Sequence, residues 1–145
     1  MKIQSIFIIS LQLFLGAMMI YGSVSKFETP VTNPQEVVDK AQNYLDQDLE
    51  HLSKLVLYIS GMKQTGYLWL VLGICELVFG LLVLWKKTSL IGSVLLLPIT
   101  LNIFLFHAGL EPDNIEELFL TFGLLVANII IVLFYSKLYN YLLTQ

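Results

Sequence analysis

Few side chains in this sequence can do chemistry, and most of those that can sit inside long apolar runs. Glu76 is the only charged residue in the run 64–85. A carboxyl group at membrane depth is costly and turns toward the interior of a helix bundle, where it relays protons or holds its neighbours. Gln12 and Asn128 fall at similar depth in the runs 3–25 and 118–136. At 1.5 Å per residue, all three lie roughly 14 Å from one end of their runs. The spacing therefore predicts a single buried polar layer of Gln12, Glu76 and Asn128, with a neutral Glu76 hydrogen-bonded to both amides. On that reading Glu76→Gln leaves the fold intact, whereas Glu76→Leu overpacks it.

A second group lies toward the other end of the runs. Lys26 closes the first run, either as a snorkelling anchor or as part of a site. His107 stands near the end of the third run, either as a hydrogen-bonded packing residue or facing Lys26. Asn102 follows Pro98 by four residues, where it can satisfy the carbonyl that the proline frees. With Tyr21, these residues (Tyr21, Lys26, Asn102 and His107) are the candidate lining of a small-molecule site. No catalytic residue is assigned, because the sequence has no nucleophile–base motif, no Gly-rich phosphate loop and no CxxC pair. Cys75 is the only cysteine and points about 100° away from Glu76 on a helix. One Glu, one His and one Cys at different depths make no coordination set, so no metal site is expected.

The elements that carry these residues follow from composition. The 145 residues are 57% hydrophobic and 13% charged, with a mean hydropathy of +0.77. The charged share is about half the usual 25%. Eight Lys, no Arg and a net charge of -3 argue against nucleic acid as a partner. Runs near 20 apolar residues read as transmembrane helices, because lipid leaves no partner for an open backbone. The expected fold is an all-α, four-transmembrane-helix bundle forming a single domain over 1–145, with spans at 3–25, 64–85, 88–110 and 118–136. A competing reading of the first run is a cleaved signal peptide, with Lys2 before it and Ser23 to Ser25 as the small-residue site. Against it stand the length of the run and its polar stripe of Ser5, Gln12, Gly16, Ser23 and Lys26. Glycines beside Glu76, at 73 and 80, allow a neighbouring helix close approach. Lys2, Lys86, Lys87 and Lys137 occupy short segments without acids, which assigns both termini to the cytoplasm. The first extracytoplasmic loop carries one amphipathic helix over about 34–60. It starts at Asn33 and Pro34, stops near Gly61, and presents Val37, Ala41, Tyr44, Leu45, Leu52, Val56 and Ile59 on one face.

Three pieces of this pattern resemble the DoxX family of small four-helix bacterial membrane proteins. They are Leu15 and Gly16 followed by Gly22, Lys26 and Phe27; Gly73, Glu76, Leu77 and Gly80 to Leu82; and Leu97, Pro98, Asn102, Ile103 and His107. Order and spacing hold over roughly 15–136. The resemblance implies a four-helix bundle in a bacterial inner membrane, with Lys26, Glu76, Asn102 and His107 as characteristic polar positions. It implies mixed functions: some relatives are linked to a thiosulfate:quinone oxidoreductase, others to membrane complexes that handle oxidative stress. The absence of arginine near the first span and the long acidic loop depart from the thiosulfate-oxidising pattern. The first functional expectation is a non-catalytic subunit or scaffold of an envelope or redox-linked complex, with a membrane or extracytoplasmic protein as partner. The alternative is a quinone- or thiol-linked oxidoreductase subunit with a site under the amphipathic helix. No cofactor is required by the sequence, and a quinone is the one such a site would take.

Overall fold

The computed structural model of the chain describes residues 2–28 and 32–143, with side chains over 6–28 and 32–137; the side chains of Lys2 and Ser5 lie outside these. The described chain is helical throughout: α1 (Lys2–Phe27), α2 (Pro34–Asp46), α3 (Glu50–Gln64), α4 (Leu68–Leu84), α5 (Ser89–Leu110) and α6 (Ile115–Leu143). Three of these, α1, α5 and α6, are long and apolar enough to cross a membrane, and a fourth span is reached if α3 and α4 count together as one bent pair. These helices make the chain a multi-pass membrane protein in a lipid bilayer environment. Leu13, Leu70, Leu105 and Leu133 face outward, as lipid-facing positions do.

The helices α1, α4, α5 and α6 pack in a ring: α1 on α4 and α6, and α5 on α4 and α6. Ile8, Leu15, Val83, Leu96, Leu124 and Ile131 fill the centre. α1 and α4 meet along a seam of small residues. A Cβ on Gly80 would stand 3.1 Å from Met19 Cβ, and one on Gly73 would stand 3.1 Å from Lys26 Cβ. At the α4–α5 corner it is the backbone itself that comes close. There Thr88 Oγ1 donates to Leu82 O at 2.8 Å, and a Cβ on Gly92 would lie 2.7 Å from Val83 N.

The amphipathic segment departs from the single helix expected over 34–60. It is a helical hairpin, α2 and α3, broken at 47–49. Asn33 and Pro34 do open it as expected, with Asn33 Oδ1 accepting from Gln35 N at 3.0 Å. The break is a Schellman cap: Asp48 has φ 58°, Leu49 N donates to Tyr44 O and Asp48 N donates to Leu45 O. Aspartate tolerates the left-handed region better than most side chains, so the turn forms without glycine. Gly61 does not stop α3, which runs on to Gln64; the stop is Gly66, at φ 77°. There the chain bends by 88° into α4. Thr65 Oγ1 accepts from Leu68 N at 3.0 Å to start α4, and the Gln64 side chain donates to Thr32 O. The expected second span, 64–85, therefore narrows to the 17 residues of α4.

Gly92→Ala is expected to lower stability by about 1–3 kcal/mol, because backbone occupies the space its methyl needs. Gly123→Ala, with nothing within 4 Å, should be neutral or slightly stabilising. Thermal unfolding of both in one detergent checks the difference.

Candidate functional site

Glu76 sits midway along α4, about 12 Å from either end, and is 1% exposed. Its partner is Lys26, not the two amides. Lys26 Nζ donates to Glu76 Oε2 at 2.7 Å and to Gly22 O at 3.0 Å. Helix side chains lean toward their own N-terminus, so Lys26 reaches back over Gly22 into the bundle instead of out along it. Gly22 leaves the room: a Cβ there would stand 3.8 Å from Glu76 Oε2 and 4.0 Å from Lys26 Nζ. Trp69, two turns before Glu76 on α4, covers the ammonium with its ring at 5.3 Å and meets Lys63 Nζ from α3 at 5.1 Å. Lys26 is thus an ion-pair residue, and the anchor reading does not describe it.

The expected polar layer of Gln12, Glu76 and Asn128 does not assemble. Gln12 Nε2 donates to Ser89 Oγ at 2.7 Å and to Val83 O at 3.0 Å, and Gln12 Oε1 accepts from Tyr135 at 3.2 Å. Asn128 Nδ2 donates to Thr100 Oγ1 at 3.1 Å. Both amides are buried, and both tie helices together away from Glu76. The physical reason is the register of α1 against α4. The end of α1 lies beside Gly73, which puts Lys26 at the level of Glu76 and leaves Gln12 opposite the α4–α5 corner.

The four candidate lining residues are brought together. Tyr21, Lys26, Asn102 and His107 all border one half-open cavity of about 380 Å³ lined by α1, α3, α4, α5 and α6, with Glu76 and Trp69 in its wall. Tyr21 stands at the rim, 77% exposed. Asn102 accepts from Tyr58 Oη of α3 at 3.2 Å, its side-chain bond here being to Tyr58 and not to the carbonyl freed by Pro98, while Tyr58 also packs on Phe106 with ring centroids 5.4 Å apart. His107 Nδ1 lies 2.7 Å from Glu111 Oε2, within ion-pair reach but outside hydrogen-bond alignment. The remaining wall is largely apolar, from Met18, Leu72, Ile103 and Leu124. The volume is that of small-molecule sites, which pair apolar walls with a few convergent polar groups. Three buried polar atoms of wall residues have no aligned hydrogen-bond partner in the protein: Glu76 Oε1, Trp69 Nε1 and His107 Nδ1. Among the described residues, no group of three or more His, Cys, Asp or Glu is placed to hold a metal ion.

Sequence reasoning missed the roles of Trp69, Tyr58 and Glu111. The four-residue step from His107 to Glu111 was a usable signal; the Tyr58 contact depends on the bend at Gly66 and left none. No known protein family, curated protein or solved structure matches the chain.

Infrared difference spectroscopy of wild type against Glu76→Gln, at neutral pH, reads the state of this acid. An ionised carboxylate band is expected from a side chain 2.7 Å from Lys26 Nζ; a protonated carbonyl band would contradict the ion pair.

Proposed function

We propose that this is a DoxX-type protein of a bacterial cytoplasmic membrane that binds a small amphipathic molecule in the cavity beneath α3. It acts as a non-catalytic, ligand-holding subunit of a redox-linked membrane complex. The observation that carries the reading is the convergence of Lys26, Glu76, Trp69, Asn102 and His107 on one largely apolar cavity. In this reading α4 is the fourth span: its 17 residues, apolar apart from Glu76, cover about 25 Å as helix, the lower end of what a bilayer needs. The short lysine turn at Lys86 and Lys87 supports placing it, and both termini with it, on the cytoplasmic side. The hairpin α2–α3 then lies outside, where its polar face is available to a protein partner.

A second reading, a quinone- or thiol-linked oxidoreductase subunit, draws on His107 and Glu111. A histidine beside a carboxylate at the cavity wall is a proton acceptor for a ligand that loses hydrogen. The absence of a complete reaction centre in the sequence favours the binding role over this one.

Native mass spectrometry after gentle extraction from the source membrane tests the binding role. Gly22 borders the cavity, and its Cβ position is 3.8 Å from the nearest atom, so Gly22→Phe should fill the cavity without forcing the helices apart. A small amphipathic molecule is expected to co-purify with wild type and to be lost from folded Gly22→Phe. The same adducts on both proteins, or none on wild type, would overturn the reading.

A further inference from the structure

We infer that the ligand of this cavity is a membrane-soluble molecule with a neutral hydroxyl headgroup, a phenol or an alcohol on an apolar body, whose hydroxyl donates to Glu76 Oε1. The inference rests on the binding role proposed above and names the ligand class. As a partner of Lys26, Glu76 has Oε2 engaged at 2.7 Å and Oε1 buried without a partner. A carboxylate only accepts hydrogen bonds, so Oε1 asks for a donor. Trp69 Nε1, also buried and unpartnered, only donates and asks for an acceptor. Both residues stand against the Lys26 ammonium, and both border the cavity. Buried polar atoms left unpaired are costly, so the favoured occupant satisfies both.

A hydroxyl gives one hydrogen bond and takes others. A ketone, ether or ester takes but cannot give, and would set its oxygen against Glu76 Oε1. A carboxylate or phosphate meets the same repulsion. A cation has no uncompensated charge to seek there, because Lys26 already neutralises Glu76. An amide also gives and takes, but carrying it through lipid costs more than carrying a hydroxyl. The rest of the ligand must be apolar, since Leu72, Phe106 and Leu124 line the cavity beside these polar groups. Entry from the bilayer agrees with the packing. α1 and α6 are the least closely packed neighbours of the ring, and the bond from Tyr135 to Gln12 ties them away from the cavity.

The test compares para-hexylphenol with its methyl ether, which differ only in the donor. The chain has two tryptophans, and Trp85 is 72% exposed and remote from the cavity, so Trp85→Phe leaves Trp69 as the sole tryptophan, read by selective indole excitation. Both ligands are titrated into this variant in nanodiscs of a defined phosphatidylcholine. The phenol is expected to bind at least about tenfold more tightly, as a hydrogen bond to a charged acceptor implies. That preference is expected to vanish when Lys26→Met and Glu76→Met are added together, an apolar pair of similar bulk that removes both charges at once. Equal affinities in the parent variant would overturn the hydroxyl assignment and leave the binding role standing. A preference that survives the double replacement would overturn Glu76 as the acceptor. No binding of either ligand would overturn the binding role itself, and the inference with it.

Discussion

The contact on which the rest of this structure depends is the buried pair of Lys26 and Glu76. Neither charge is tolerable alone at that depth: an unpaired ammonium or carboxylate in an apolar bundle loses far more hydration energy than packing returns. Together, at 2.7 Å, with a further hydrogen bond to Gly22 O and the Trp69 ring against the ammonium, they compensate. The pair sets the register of α1 against α4. It also demands a small residue at 73, where a side chain would press on the Lys26 stem. It holds Trp69 in place, and through Trp69 it reaches Lys63 at the end of the hairpin.

The two ends of the ring are built differently as a consequence. At the end with the lysine turn, Gln12 joins α1 to α4, α5 and α6 through Val83, Ser89 and Tyr135, and Gly92 brings α5 against the α4 backbone. Asn128 and Thr100 join α5 to α6 between the two ends. Individually such bonds are modest in a membrane, averaging about 0.6 kcal/mol, but several on one helix leave little freedom of register. At the hairpin end the ion pair lies at the cavity wall, and α3 lies across the cavity, held by Tyr58 on Asn102 and Phe106. The cavity is the space between a closed end and a covered one.

Much of this was legible in the residues. Apolar run length located α1, α5 and α6, and Asn33 with Pro34 located the start of α2, because these signals are local. The grouping of Tyr21, Lys26, Asn102 and His107 was legible because all four lie toward the same end of their helices. Three features were not. Asp48 gives no sign that it will take the left-handed turn usually left to glycine. The 88° bend at Gly66 carries the surface helix on to Gln64 and shortens the expected span 64–85 to α4. Depth counted from span ends treats the helices as beginning level, and so misplaces the partner of Glu76. α1 ends beside Gly73, part-way down α4, and that offset moves Lys26 to the acid and Gln12 away from it.

The central claim is that Lys26 and Glu76 act as one unit. A double-mutant cycle in thermal or denaturant unfolding, using Lys26→Met, Glu76→Met and the two combined, measures that directly. Each single replacement strands a buried charge and should cost about 3–5 kcal/mol. The double variant should be more stable than either single one, with a coupling energy of at least about 2 kcal/mol. Additive losses, with the double variant the least stable of the three, would contradict the account.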